Sequence, residues 1–222
     1  MALGELTHLH VACLFPGRGS QTPGFLHRLP DHPSVRATLA HAADVLDFDP
    51  LRLDSEIALR STVSVQLALL IAGVSTASAL QAEGSPTDAT AGLSIGAFSA
   101  AVACGALQFP DALNLVKLRG ECMEQAHPHG YGMLAIEGLD ERQAIAAVQR
   151  VGGADAEVYV ANINAPRQIV LSGANRSLEA AADIAGEMGA RRAERLAMSV
   201  PSHCPLLNSV AEALDAAMYD HA

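Results

Sequence analysis

The chain has 222 residues, of which half are hydrophobic, and it carries a formal net charge of −10. This length and composition predict a globular protein, either one large α/β domain or a domain with a smaller insert. The acidic balance argues against nucleic-acid binding, which requires Lys and Arg to neutralise phosphates. Four widely spaced cysteines and an opening segment without a cationic signal sequence predict a cytoplasmic protein with reduced thiols.

The first candidate strand, residues 9–15, runs into a glycine-rich loop with the sequence PGRGSQ at 16–21. Helical periodicity follows at 34–46 and again through the uncharged stretch 61–82. That stretch is long enough to span a membrane, but Gln66 and several hydroxyl side chains within it favour a buried core helix.

Residues 92–96 match the pattern G-x-S-x-G between a weak strand at 87–93 and a small-residue helix at 97–104. In this setting the glycines permit a strained strand-to-helix turn that exposes the serine hydroxyl. The backbone N–H of Ile95 would then point towards a developing oxyanion. Ser94 is therefore a candidate nucleophile.

A helix is predicted at 110–125, because proline and then aspartate open it. Arg119 interrupts the apolar face of this helix and has two interpretations. It is either a surface arginine with a buried stem or a planar cation that binds a substrate carboxylate.

From residue 131 onward the candidate elements follow the order βαββαβ, which is the ferredoxin-like unit. Its predicted strands and helices are a strand at 132–137, a helix opened by Asp140, strands at 158–163 and 168–172, a helix opened by Asn175 and a strand at 193–199. Because a final helix is predicted at 205–218, this unit is expected to be an insert. The prediction is a large subdomain of residues 1–127 and 199–222 with a small subdomain of 128–198.

A serine nucleophile needs a base, and histidine is the natural choice near neutral pH. His203 lies between Pro201 and Pro205 at a strand-to-helix junction, where a side chain is held at a rigid corner; a structural or surface histidine is the alternative. The histidines in polar loops have no carboxylates at metal-ligand spacing, so no metal site is predicted. These are His27, His32, His127 and His129.

Four blocks in order resemble the malonyl-CoA:acyl-carrier-protein transacylase family. They are residues 15–21, the elbow with Gly-Ala-Leu at 105–107, Leu-Arg-Gly at 118–120 followed by Met123, and 200–204. Residues 162–173 resemble the family's strand pair in the small subdomain. The resemblance implies an α/β-hydrolase-like large subdomain with an inserted ferredoxin-like small one.

The resemblance also implies site roles. Ser94 and His203 would be the catalytic pair, with the oxyanion held by the backbone N–H groups of Arg18 and Ile95. Arg119 would bind the malonyl carboxylate, and Gln66 and Asn162 are assigned to substrate binding. The expected substrate is malonyl-CoA, a coenzyme A thioester, and the expected partner is an acyl carrier protein. No permanently bound cofactor is expected.

The chain departs from the family pattern at three points. Arg18 replaces the usual Gln, and Leu93 replaces the usual His before the nucleophile. Leu93 and its neighbours, with residues 26–33 and 130–133, look like the malonate decarboxylase branch, whose epsilon subunit loads that system's own carrier. Family members also continue past the last helix and there supply a carbonyl that orients the catalytic histidine, so the chain looks truncated.

The sequence leaves other functions open. A malonyl transacylase of fatty-acid synthesis would share every block, and a serine hydrolase or thioesterase would share the elbow and His203. A noncatalytic docking subunit would use the elbow only as a turn. Other malonate decarboxylase subunits are expected partners if the main interpretation is correct.

Overall fold

A computed structural model describes residues 11–85, 87–127, 129–152 and 156–219. The predicted start of the first strand, at residues 9 and 10, lies outside the described residues. The chain divides into two compact units, the first ending at Gly120 and the second beginning at Glu121.

The first unit contains a two-stranded parallel sheet surrounded by helices. Strand β1 (Ala12–Phe15) pairs with β2 (Ala89–Gly92), so that Phe15 lies opposite Gly92. The chain forms α1 (Pro33–Leu46) and α2 (Thr62–Ala82) between the strands, and α3 (Gly96–Ala103) and α4 (Phe109–Ala126) after them. Short 3₁₀ turns occur at Leu26–Arg28, Pro50–Asp54 and Ala58–Arg60.

Helix α2 is the centre of the first unit's core. The hydroxyl of Ser61 caps it by accepting the N–H of Ser64. By length and composition α2 could cross a membrane, but Val65, Leu70 and Ile71 are fully buried in the core cluster of this unit. This burial agrees with the prediction of a core helix.

The second unit contains a four-stranded antiparallel sheet in the order β4-β5-β3-β6. With two helices in the chain order βαββαβ, this is the predicted ferredoxin-like arrangement. The bounds are β3 (Tyr131–Glu137), α5 (Glu141–Val151), β4 (Val158–Ala165), β5 (Gln168–Ala174), α6 (Asn175–Glu187), β6 (Arg192–Arg195), a 3₁₀ turn (Pro205–Leu207) and α7 (Asn208–Tyr219).

Local sequence explains these elements. Helix α5 begins with a capping box, in which Asp140 and Gln143 each accept the other's backbone N–H. Apolar residues on β3 and β5, such as Leu134 and Leu171, meet Leu178 of α6 in one buried cluster. The last predicted strand, 193–199, is too long: β6 ends at Arg195.

The compact units do not follow the predicted subdomain limits. The sheet lies within the predicted 128–198, but the second unit begins at Glu121 and also takes in α7. A small cluster of Met123, Val200 and Val210 supports that grouping. The assignment of residues 199–222 to the large subdomain stays a prediction.

Candidate active site

Ser94 lies at the turn between β2 and α3 with a left-handed backbone, φ 53°. Both glycines of the pattern are required because there is no room for a side chain at either position. A Cβ on Gly92 would lie 2.1 Å from the backbone of Gly96, and a Cβ on Gly96 would lie 2.2 Å from the carbonyl oxygen of Phe15. The sequence therefore forms the predicted nucleophile elbow because only glycine allows this close approach.

Backbone hydrogen bonds hold the elbow. The N–H of Leu93 donates to the carbonyl of Phe15 at 3.0 Å, and the N–H of Gly96 donates to the carbonyl of Leu93 at 2.9 Å. Among the described residues, the N–H of Ile95 donates to no protein group. It is therefore available to an acyl oxygen next to Ser94, as an oxyanion donor requires.

The glycine-rich loop lies directly against the elbow. A Cβ on Gly17 would be 3.0 Å from the carbonyl oxygen of Leu93, so this residue also has little room. The loop is shaped by its own side chains, since the Ser20 hydroxyl donates to the carbonyl of Gly17 at 3.1 Å and the N–H of Gly19 donates to the Gln21 side chain at 2.7 Å. Arg18, the second predicted oxyanion donor, lies within this loop.

Three predicted site residues come together in the first unit. The Nη2 of Arg119 donates to the Ser94 hydroxyl at 3.1 Å, and its Nη1 donates to the side-chain oxygen of Gln66. Gln66 is fully buried on α2. The next residue, Gly120, allows this contact because a Cβ there would lie 2.8 Å from the Cα of Val63. The guanidinium of Arg119 therefore contacts the candidate nucleophile rather than solvent alone, and its role in binding a carboxylate stays a prediction.

A second arginine contributes to the electrostatics of the site. Burial, and after it the positive charge of Arg18, lower the pKa of Arg119 from its ordinary value to about 10. Arg119 thus remains protonated at neutral pH. The side chain of Arg18 is held by a 3.0 Å hydrogen bond to the hydroxyl of Thr62, which is buried.

Thr62 is the site residue that the sequence interpretation missed. It precedes Gln66 by four positions on α2, so both side chains lie on one face of the helix. That spacing was the available signal, and it becomes informative only once Gln66 is placed beside Arg119. Within the described ranges, no group of three or more His, Cys, Asp or Glu side chains could hold a metal ion.

His203 and Asn162 belong to the second unit. His203 has a left-handed backbone, φ 61°, and an exposed side chain, while the neighbouring Ser202 is buried. Asn162 is half-buried on β4 opposite Val170, next to an irregularity in the strand register. The pairing of His203 with Ser94 and the role of Asn162 in substrate binding stay predictions.

Comparison with known protein families identifies the chain. The acyl transferase domain family matches residues 13–222. The chain belongs to this family. This acyl transferase domain is 42% identical over 211 residues to a malonyl CoA-acyl carrier protein transacylase of Haemophilus influenzae, a match that covers 91% of the chain and 67% of the relative.

Solved structures agree with this assignment. A malonyl CoA-acyl carrier protein transacylase from Coxiella burnetii superposes with a TM-score of 0.91 at 35% identity, covering 96% of the acyl transferase domain and 69% of that chain. A malonyl-transacylase in complex with its type II PKS acyl-carrier protein gives a TM-score of 0.89 at 37% identity, covering 96% and 71%. The predicted α/β fold class and family are confirmed, and the protein is an enzyme of the acyltransferase class.

Proposed function

We propose that the protein transfers a malonyl group from malonyl-CoA to the phosphopantetheine thiol of an acyl carrier protein through a malonyl-serine intermediate. The observation that carries this proposal is the contact of Arg119 with both the Ser94 hydroxyl and Gln66. A fixed guanidinium beside the nucleophile suits an acyl group with a free carboxylate, because arginine binds carboxylates with two parallel hydrogen bonds. The names of the relatives at 42% and 35% identity support the same acyl group.

The proposed reaction has two half-reactions. In the first, the Ser94 hydroxyl attacks the thioester carbonyl of malonyl-CoA while His203 takes its proton; the C–S bond breaks, and the proton passes to the departing thiolate. In the second, His203 takes the proton of the carrier thiol, whose sulfur attacks the malonyl-serine ester. The ester C–O bond then breaks and Ser94 regains its proton.

The oxyanion of each tetrahedral intermediate would be bound by the backbone N–H groups of Ile95 and Arg18. The proposal for Ile95 is supported by the position of this residue directly after the nucleophile and by its N–H, which has no acceptor among the described residues. Loss of one such donor typically lowers kcat by a factor of about 10²–10³. In this proposal Gln66 anchors Arg119, and Asn162 contributes to substrate binding from the second unit.

The identity of the carrier protein depends on which of two pathways the enzyme serves. The malonate decarboxylase interpretation depends on Leu93 and its neighbouring segments. Relatives named malonyl CoA-acyl carrier protein transacylase favour the alternative, a transacylase that supplies the carrier of fatty-acid synthesis. We therefore propose the second pathway, with the enzyme located in the cytoplasm.

Intact-protein mass spectrometry tests the chemistry. After mixing with malonyl-CoA, the wild-type chain should gain one malonyl group on Ser94, and the Ser94→Ala variant should gain none. Adding a phosphopantetheinylated carrier should remove the adduct and give malonyl-carrier. Release of free malonate as the main product would indicate a hydrolase, and an unmodified Ser94 would favour a docking subunit.

Two further arms complete this experiment. His203→Ala should slow formation of the adduct without removing Ser94, because the base is lost and the nucleophile remains. Rates of transfer to a fatty-acid-synthesis carrier and to a malonate decarboxylase carrier should be compared side by side. A higher kcat/KM with the decarboxylase carrier would reverse our choice of pathway.

A further inference from the structure

Arg18 stands where the family resemblance predicts a glutamine, so it adds a positive charge to the glycine-rich loop. Its side chain is not a freely extended surface arginine. It is half-buried, and its Nη1 donates to the hydroxyl of Thr62 at 3.0 Å. Thr62 is only 2% exposed, so the contact fixes the guanidinium against the first turn of α2.

The same face of α2 binds the other guanidinium of the site. Gln66, which accepts a hydrogen bond from Arg119, lies one helical turn beyond Thr62, about 6 Å along the helix axis. Arg119 also contacts the Ser94 hydroxyl. Two arginines from different segments, a loop and α4, therefore bind neighbouring positions on one face of α2, and Arg119 also contacts the nucleophile.

The two cations affect one another. The charge of Arg18 is the second cause, after burial, of the lowered pKa of Arg119. Like charges in a partly buried site repel, and this repulsion is relieved by an anion that binds close to both.

We propose that Arg18 is a specificity-determining residue whose guanidinium, together with that of Arg119, binds the free carboxylate of the acyl group. This inference rests on the proposed malonyl transfer and deepens it. The two arginines favour an acyl group with a terminal carboxylate over a neutral one more strongly than Arg119 does alone. The backbone N–H of Arg18 keeps its separate proposed role with the oxyanion.

Kinetics with two acyl donors test the inference, because malonyl-CoA and acetyl-CoA share every contact made by coenzyme A. Arg18→Gln removes the charge and keeps the backbone N–H and a side-chain donor for Thr62. It should lower the ratio of kcat/KM for malonyl-CoA to that for acetyl-CoA about tenfold, mainly through KM for malonyl-CoA. Arg18→Lys keeps the charge but not the planar guanidinium, so its ratio should lie between those of Arg18→Gln and the wild type.

Arg52→Gln is the matched control, since it removes one positive charge from an exposed position of the same unit. The wild-type ratio should be retained in this variant. If Arg18→Gln lowers both activities equally, the side chain acts on coenzyme A or on the oxyanion, and the inference is overturned. An unchanged ratio in Arg18→Gln overturns it as well.

A binding measurement separates this inference from the proposed transfer reaction. NMR titrations with monomethyl malonate and methyl acetate probe the acyl site without any turnover. The wild-type protein should bind monomethyl malonate about tenfold more tightly than Arg18→Gln does. If malonyl transfer is absent but this difference is found, only the proposed function fails. Equal affinities, or binding to neither protein, overturn the role of Arg18.

Discussion

The guanidinium of Arg119 donates a hydrogen bond to the hydroxyl oxygen of Ser94 at 3.1 Å, although 25 residues separate them in the chain. Because the donor is a cation, it stabilises negative charge on this oxygen. The other arm of the guanidinium is held by buried Gln66. The nucleophile and the proposed carboxylate-binding group are thus parts of one hydrogen-bonded unit.

Replacement of Arg119 should change which acyl group is transferred. Arg119→Ala should lower kcat/KM for malonyl-CoA about 10- to 100-fold more than for acetyl-CoA, since a hydrogen bond to a charged group contributes about 1.5–3 kcal/mol. Arg119→Lys should fall between the two, because one ammonium group does not reproduce the two-armed contact with Gln66 and Ser94. Steady-state kinetics with both donors measure this, and an equal loss for both donors would contradict the carboxylate role.

The elbow glycines should be intolerant of the smallest side chain. Gly92→Ala places a Cβ 2.1 Å from the backbone of Gly96, so the turn must move, and we expect a loss of about 3 kcal/mol in the free energy of unfolding together with loss of the acyl adduct. Gly186→Ala on α6 is the control, because a Cβ there meets nothing within 4 Å.

The control should be neutral or stabilising by up to about 1 kcal/mol, because alanine favours a helix over glycine. Urea unfolding of the two variants and the wild type measures both effects. If Gly92→Ala unfolds at the same urea concentration as Gly186→Ala, the close approach at the elbow is not a constraint on this fold.

The structural features that depend on residues close together in the chain could be predicted from the sequence. The elbow of Ser94 follows from two glycines within five residues, and the ferredoxin-like sheet follows from the order of its strands and helices. The contact of Arg119 with Gln66 spans 53 residues, and no periodicity encodes it. It depends on Gly120, which brings α4 close to Val63, and it was assigned only through the family resemblance.

Element ends were less predictable because tertiary contacts decide them. The helix predicted at 205–218 starts as a 3₁₀ turn at Pro205 and becomes α7 only at Asn208. Strand β6 ends at Arg195, the last of its residues in register with β3, where it lies opposite Leu134. The relation of His203 to Ser94 stays a prediction for the same reason, since it depends on contacts far apart in the chain.

We expect the left-handed backbone of Ser94 to lower the free energy of unfolding. This conformation costs an L-residue about 1–2 kcal/mol, so Ser94→Gly should be more stable than Ser94→Ala by about 1 kcal/mol, while neither forms the acyl adduct. Asp47, with φ 59° at the end of α1, is the control. Asp47→Gly should gain similar stability and keep full activity. Urea unfolding and the adduct assay check this; equal stability of the two Ser94 variants would exclude strain there.

Cys204, next to His203, should respond to pH in a defined direction. Burial raises the pKa of its thiol above the usual value, and the thiol donates to the carbonyl of Pro201 at 3.2 Å. The folded state therefore holds this proton more tightly than the unfolded state. The resulting stability is present below the unfolded pKa, about 8.5, and is lost as the pH rises above that value.

Two measurements check the behaviour of Cys204. The stability difference between wild type and Cys204→Ala should shrink between pH 8 and pH 10 in urea unfolding, because the other titrating groups cancel in the comparison. In iodoacetamide labelling at pH 8, Cys204 should react at least about tenfold more slowly than exposed Cys104, because the thiolate is the reactive form. Faster labelling of Cys204, or a stability difference that grows with pH, would mean that its thiol is activated rather than held neutral beside His203.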